Sequence, residues 1–192
     1  MPILDHFGFL APIYDRLIKP KAPEYIWKLL RLPTDGLLLD AGGGTGRVAQ
    51  FMLDKSAGVV LADLSMNMLK EASGKGGFFR VCSYTEGFPF TDGSFSRILM
   101  VDALHHVIDQ PQTALELWRV LAPGGCLVIE EPDLRTFGVK LVAIAEKLAL
   151  MRSHFLTPTE IAELFDFPGA EVHIEAESGG FNAWVIILKA KD

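Results

Sequence analysis

Apolar and polar positions fall into two rhythms along the chain. From Pro23 to Leu32, Tyr25, Ile26, Leu29 and Leu30 recur at helical spacing behind a proline near the start, which predicts a helix. Gly36–Ala41 is a short apolar run, the pattern of a strand buried on both faces. Helical spacing returns over Thr45–Ser56, and Gly58–Ala62 is a second strand-like run. Ser65 can cap a helix that continues to Ser73, and Gly77–Cys82 and Phe95–Val101 read as the third and fourth strands. Asp109 followed by Gln112 resembles a capping box opening a helix to Leu121, after which Pro123-Gly124-Gly125 turns the chain into a fifth strand, Cys126–Glu130. Phe137–Met151 is patterned as a helix, and Thr157-Pro158-Thr159-Glu160 is a second capping box starting a helix to Phe165. The tail changes rhythm: Ala170–Ala176 and Asn182–Ala190 flank a Ser178-Gly179-Gly180 turn and predict an antiparallel hairpin.

Strands alternating with helices predict an α/β fold, doubly wound around a mostly parallel sheet, with the C-terminal hairpin adding the antiparallel part. In such folds ligands sit beyond the carboxyl ends of the strands. The 192 residues fit a single domain. Hydrophobic residues make up 49% of the chain, enough to bury a large core. A net charge of -6 without any lysine- or arginine-rich run disfavours a nucleic-acid partner. Cys82 and Cys126 are far apart and show no metal-type spacing, so they read as two buried free thiols in a reducing compartment. The opening MPILDHFGFL lacks the basic-then-apolar pattern of a signal peptide, and VKLVAIAEKLAL is broken by Glu146 and Lys147, too short and too charged for a membrane span. The expected location is the cytoplasm.

The stretch LLLDAGGGTGRVAQF, Leu37–Phe51, carries the chemistry. Glycine weakens any regular element, so a cluster between a strand and a helix signals a sharp turn and the close approach of a ligand to backbone. A dinucleotide loop would read GxGxxG; here Gly42, Gly44 and Gly46 make GxGxG, and Arg47 holds the place of the third dinucleotide glycine. Asp40 just ahead of the loop would repel a pyrophosphate but could pair with a cationic ligand. No Gly-Lys-Ser/Thr follows, which excludes a P-loop.

Asp40-Ala41-Gly42-Gly43-Gly44-Thr45-Gly46 resembles the first motif of class I S-adenosylmethionine-dependent methyltransferases. Four further stretches match that family in order: Leu61-Ala62-Asp63-Leu64-Ser65 with Met68-Leu69, Glu86-Gly87-Phe88-Pro89-Phe90 through Phe95, Ala103-Leu104-His105-His106-Val107, and Arg119-Val120-Leu121 with Pro123-Gly124-Gly125. Phe7–Asp15 is similar to the lead-in of the ubiquinone/menaquinone biosynthesis group. The resemblance covers nearly the whole chain. It implies a Rossmann-like, seven-stranded fold, with residues 1–32 forming a helical lead-in over the cofactor site, S-adenosylmethionine as cofactor, and methyl transfer to a small molecule as the activity.

The resemblance also implies site residues. Asp40 would favour the cationic end of the cofactor, Gly42, Gly43, Gly44 and Gly46 would admit it to the backbone, and Asp63 would accept from both ribose hydroxyls. Asp63 as a plain helix cap is the competing reading. Leu64 and Met68 would neighbour the adenine, and Tyr14 and Val101 would complete the cofactor's surroundings. Tyr84, followed by Thr85, stands where many relatives have an aspartate for the adenine amino group. A phenol can accept one hydrogen bond or stack on the base, so adenine contact would rest partly on the Thr85 N–H. Arg97 is a second departure, expected at the surface.

In-line methyl transfer needs positioning more than a catalytic side chain. His105 and His106 follow the fourth strand and are candidate general bases, with ordinary turn residues as the plainer alternative. Glu131, Asp133 and His154 are weaker candidates. Phe7, Phe9, Tyr14, Phe137 and Phe155 could wall an apolar pocket, which points to a small, partly apolar acceptor. Val101-Asp102-Ala103-Leu104 is not the motif of base-amine methylation, and no Pro-Cys is present for attack on cytosine. A non-catalytic cofactor-binding protein, suggested by Tyr84 and the short chain, and a nicotinamide-dependent oxidoreductase, disfavoured by the loop spacing, are the alternatives. Oligomeric state and the acceptor's identity are not encoded in any of these motifs.

Overall fold

The computed structural model describes residues 23–136, 139–140, 153–176 and 180–191. The elements run α1 (Pro23–Leu29), β1 (Leu37–Ala41), β2 (Gly58–Asp63), α2 (Met66–Ala72), β3 (Phe78–Cys82), β4 (Phe95–Val101), α3 (Gln110–Val120), β5 (Leu121–Pro132), α4 (Pro158–Glu163), β6 (Ala170–Ala176) and β7 (Asn182–Lys189). The seven strands form one sheet in the order β3-β2-β1-β4-β5-β7-β6. Pairings from β3 through β5 are parallel, while β7 runs antiparallel to both β5 and β6. The doubly wound sheet with an antiparallel C-terminal hairpin is the architecture the strand rhythm predicts.

Burial on both faces follows from strand geometry, in which successive side chains point to opposite sides. Leu39, Ile98, Met100, Leu127 and Ile129 join one core with Leu117 and Val120 of α3 and Ile161 of α4. Their neighbours Leu38, Leu99 and Val128 join the other with Ile26 and Leu29 of α1 and Leu69 and Ala72 of α2. This is why the central strands read as continuous apolar runs instead of alternating ones.

Two family-like stretches prove to be one structural clasp. The Arg119 guanidinium donates to Glu116, to the Phe90 carbonyl at 2.7 Å, to Asp92 at 2.8 Å and to the Phe88 carbonyl at 3.1 Å. Glu116 in turn accepts from the Phe88 N–H at 2.9 Å. The loop before β4 is thus fastened to the end of α3.

Three local patterns differ from expectation. Thr45–Ser56 forms only a 3₁₀ turn at Ala49–Met52. Gly46 sits at φ +70°, so no right-handed helix can begin before it. Beyond it the amides of Phe51 and Lys55 bond three residues back, and Trp27 Nε1 takes the Phe51 carbonyl. Asp109 does cap α3 through the Gln112 N–H, but the Gln112 side chain reaches the Glu86 carbonyl instead of closing the box. The turn before β5 is absorbed into the strand: Phe95 pairs Leu121 and Arg97 pairs Cys126, so two steps along β4 face five along β5. At Thr157 the reciprocal capping box is complete. Of the helix expected over Phe137–Met151 only Val139 and Lys140 are described, and they are helical; most of the lead-in over residues 1–32 and Ser178-Gly179 of the hairpin turn lie outside the described residues.

Candidate cofactor site

The site is built at the carboxyl ends of β1, β2, β4 and β5. Asp40 is the penultimate residue of β1, flanked in the sheet by Leu61 and Leu99, and only 1% exposed. Its Oδ1 is buried without a hydrogen-bond partner. A buried carboxylate oxygen left in that state costs free energy unless a ligand or a proton satisfies it. Burial pushes the Asp40 carboxyl up to about 7; the Arg47 charge works against that rise and the Asp63 charge adds to it.

The glycine loop wraps this carboxylate. Gly42 and Gly43 both donate to the Ala62 carbonyl, at 2.8 and 3.2 Å, which folds the chain back over the end of β2. A Cβ on Gly43 would sit 2.6 Å from the Asp40 carboxylate, and one on Gly42 would sit 2.7 Å from the Ala103 side chain. These glycines, like Gly46 against Phe78, are required by the protein's own packing. Gly44 is different: at φ +57° its missing Cβ would meet nothing nearer than Asp63 Oδ2 and Met68 Sδ, both at 4.0 Å. The loop therefore leaves an open cradle at Gly44, beside an unsatisfied carboxylate.

Asp63 ends β2 and organises two elements. Its Oδ2 accepts from the Gly44 N–H at 2.9 Å and its Oδ1 from the Ser65 N–H at 2.7 Å, while the Ser65 hydroxyl caps α2. Leu64 and Tyr84, each about half exposed, project near the ends of the neighbouring strands β2 and β3, whereas Met68 is buried behind the loop. Ser83 donates to the Asp63 carbonyl, which keeps these strand ends together. Thr85 turns away to bond Thr113 at 3.0 Å and Glu86 at 3.3 Å. Val101 closes β4 and is half-buried. Arg97 is half-buried, with its guanidinium on the Ser96 and Arg31 carbonyls, at the opposite end of β4. Tyr14 lies outside the described residues.

Sequence reasoning missed two supports, and named Glu131 only as a weak acceptor-side candidate without foreseeing its supporting role. Arg47 donates to Asp102 at 2.7 Å, tying the glycine loop to the turn after β4, where Asp102 holds φ +51°. Lys75 reaches back to the Thr45 carbonyl at 2.7 Å. Glu131 accepts from the Ala103 and Leu104 amides, at 2.9 and 2.7 Å, and pairs with His105 Nδ1. An arginine in a glycine's usual place was the only sequence signal for the first of these.

On the acceptor side, His105 is 4% exposed and stacks on Phe155 with ring centroids 4.4 Å apart. His106 is half-buried, with Ser153 Oγ 3.3 Å from its Nδ1. His154 donates its backbone N–H to the His105 carbonyl. Asp133 pairs with Arg135, which holds its carboxyl below the usual range. Among the described residues no group of three or more His, Cys, Asp or Glu could hold a metal ion, and no helix is long and apolar enough to cross a membrane.

The methyltransferase domain family matches over residues 39–129, which spans the glycine loop, Asp63, the clasp and most of β5. That match and the relatives below support a class I S-adenosylmethionine-dependent methyltransferase. A ubiquinone/menaquinone biosynthesis C-methyltransferase from Legionella pneumophila is 29% identical over 158 residues, covering 73% of this chain and 63% of the relative, so the chain spans less than two thirds of that protein's length. An S-adenosylmethionine-dependent methyltransferase from Thermotoga maritima, described as a possible histamine N-methyltransferase, superposes with a TM-score of 0.77 at 23% identity, over 95% of this chain and 98% of the other. A chain from the complex of the Haloferax volcanii Trm112 methyltransferase activator with its methyltransferase superposes with a TM-score of 0.80 at 16% identity, over 98% and 99% of the two chains. Both structures share the fold. The family's cofactor carries an ammonium and a sulfonium, and the unsatisfied Asp40 oxygen beside the Gly44 cradle has the charge and the room to suit it.

Proposed function

We propose that this methyltransferase-family chain transfers a methyl group from S-adenosylmethionine to a small, partly apolar acceptor by in-line displacement. The observation that carries this reading is the buried, unpartnered Asp40 Oδ1 beside the open face of Gly44. A carboxylate so placed gains most from a cation, and less from the negatively charged pyrophosphate of a dinucleotide. When bound, the cofactor supplies an electrophilic methyl on a positive sulfur. The chain's part is positional: Asp40 faces the cationic end, Asp63 takes the ribose, Leu64, Met68 and Tyr84 flank the adenine, and the turn carrying His105 and His106 faces the acceptor. Tyr84 fits a stacking role better than the directional acceptor role of an aspartate, since its ring is exposed on the rim.

Binding is tested first. S-adenosylhomocysteine should raise the melting temperature and NAD should not; at ligand a hundredfold above its dissociation constant the gain is about 2.7 kcal/mol. Tight NAD binding with no response to the adenosyl ligand would overturn the reading. Catalysis is tested by screening acceptors for S-adenosylhomocysteine production, starting with quinone precursors because of the curated relative's name. Binding without turnover across phenolic, amine and carbon acceptors would favour a cofactor-binding protein instead.

A further inference from the structure

The glycine loop and the turn after β4 meet in two ways, one steric and one electrostatic. A Cβ on Gly42 would stand 2.7 Å from the Ala103 side chain, so the loop backbone lies against the turn. Beside that contact Arg47, 8% exposed, reaches Asp102 Oδ2 at 2.7 Å. The two side chains are 10% and 27% exposed, so little water screens the bond and it is stronger than a surface ion pair. Each partner is fixed to its own segment. Gln50 Nε2 donates to the Arg47 carbonyl at 2.7 Å, and the Gly46 N–H donates to the Gly43 carbonyl at 2.9 Å. Asp102 holds φ +51°, in the left-handed region, with its N–H on the Glu130 carbonyl at 3.0 Å. From there the turn closes through the His106 and Val107 amides, which donate to the Ala103 and Leu104 carbonyls at 3.1 Å. Arg47 also lies near enough to Asp40 for its charge to hold that carboxyl lower than burial alone would. The guanidinium therefore stands between two acids, one that it bonds and one that faces the ligand position.

We propose that Arg47 and Asp102 are positioning residues that couple the two sides of the site: a cation seated against Asp40 strengthens the Arg47–Asp102 bond and so stiffens the turn that carries His105 and His106 before the acceptor arrives. The cation at Asp40 rests on the methyltransferase reading; the link from loop to turn rests on the ion pair and the Gly42 contact. The cause is a change in the forces on one guanidinium. With no ligand, the field of Asp40 draws Arg47 away from Asp102. A cation at Asp40 cancels that field and repels Arg47, so the bond to Asp102 is favoured. By linkage, a ligand that favours the closed turn binds more tightly to the closed form than to the open one. The order of binding that follows is cofactor first and acceptor second.

The test reads amide hydrogen exchange by NMR, with and without saturating S-adenosylhomocysteine, which keeps the cofactor's ammonium. In the wild type the ligand should slow the Asp102, His106 and Val107 amides about tenfold, an ordinary strength of coupling between sites, and leave those of β6 unchanged. Asp102→Asn removes the charge, and asparagine tolerates the left-handed backbone as aspartate does. This variant should still bind S-adenosylhomocysteine in calorimetry, yet the ligand should slow the same amides by about twofold or less. Arg47→Met reads the same link from the loop side and decides the matter if Asp102→Asn does not fold. Binding to the wild type without slowing of the turn overturns the coupling and leaves the cofactor reading intact. Undiminished slowing in either folded variant overturns it too, because the ligand or the Gly42 contact alone would then hold the turn. Absence of binding to the wild type would take down the coupling and the cofactor reading together.

Discussion

Asp40 puts a ligand's interest in conflict with the fold's. Its carboxyl rises to about 7 from an ordinary 3.8, chiefly through burial. Below pH 4 both folded and unfolded chains keep the proton; between there and 7 only the folded chain does, so rising pH favours unfolding. Above 7 the loss is complete, on the order of 4 kcal/mol. Asp40→Asn should therefore melt with the wild type near pH 4 and above it at pH 8, in thermal scans without ligand. The same variant should lose S-adenosylmethionine affinity, read by calorimetry, because the amide brings no charge. Wild-type affinity should fall below pH 7 by up to about tenfold per unit, since one proton must leave as the cation binds. Asp63→Ala should lower both affinity and the ligand-free melting temperature, because the lost carboxylate holds the Gly44 and Ser65 amides as well as facing the ribose position. Unchanged affinity would leave it a purely structural cap. Asp40 and Asp63 were legible in the sequence because each lies within a contiguous motif. Arg47–Asp102 and Lys75–Thr45 were not, for their partners are 55 and 30 residues apart and nothing local marks them.

Among the elements, the clasp around Arg119 shows what a family-like motif can be for. The stretch from Glu86 to Phe95 lies within the family match, and Phe88, Phe90 and Asp92 in it are fixed by the arginine and by Glu116. Arg119→Met should cost about 3 kcal/mol in urea unfolding, because several charge-assisted bonds go at once and Glu116 keeps its charge. Cofactor affinity of the folded variant should match the wild type, and a loss of affinity at full folding would show that the clasp shapes the site. Element type was legible wherever apolar periodicity was strong and caps were local, as at Ser65 and Thr157. It failed after the glycine loop. The spacing from Thr45 to Ser56 is helical, but Gly46 in a left-handed conformation and the tertiary bond from Trp27 convert the segment to a 3₁₀ turn. Periodicity reports which side chains are buried, not which carbonyls another element will claim.

Over the whole molecule, the sheet has a protected middle and two unlike margins. In hydrogen exchange, amides of β1, β4 and β5 should be slowest and those of β3 and β6 fastest, since the outer strands are paired on one side only; β6 exchanging as slowly as β4 would contradict this. The margins differ in chemistry: β6 carries Glu171, His173 and Glu175, whereas β3 shows Phe79 at 65% exposure. Fold class was legible from the alternation of strands and helices, but the placing of β7 between β5 and β6 was not, because nothing in the hairpin pattern says which strand lies inside. That placing bears on how the chain is made. A ribosome delivers β6 before β7, yet β6 touches the sheet only through β7. As the strand Ala170–Ala176 emerges, its berth does not exist, and the margin of β5 stands open beside it. The nascent chain must carry both surfaces unpaired until Asn182–Lys189 threads between them, so a stall in translation just ahead of Asn182 would expose the chain to association with its neighbours on a polysome.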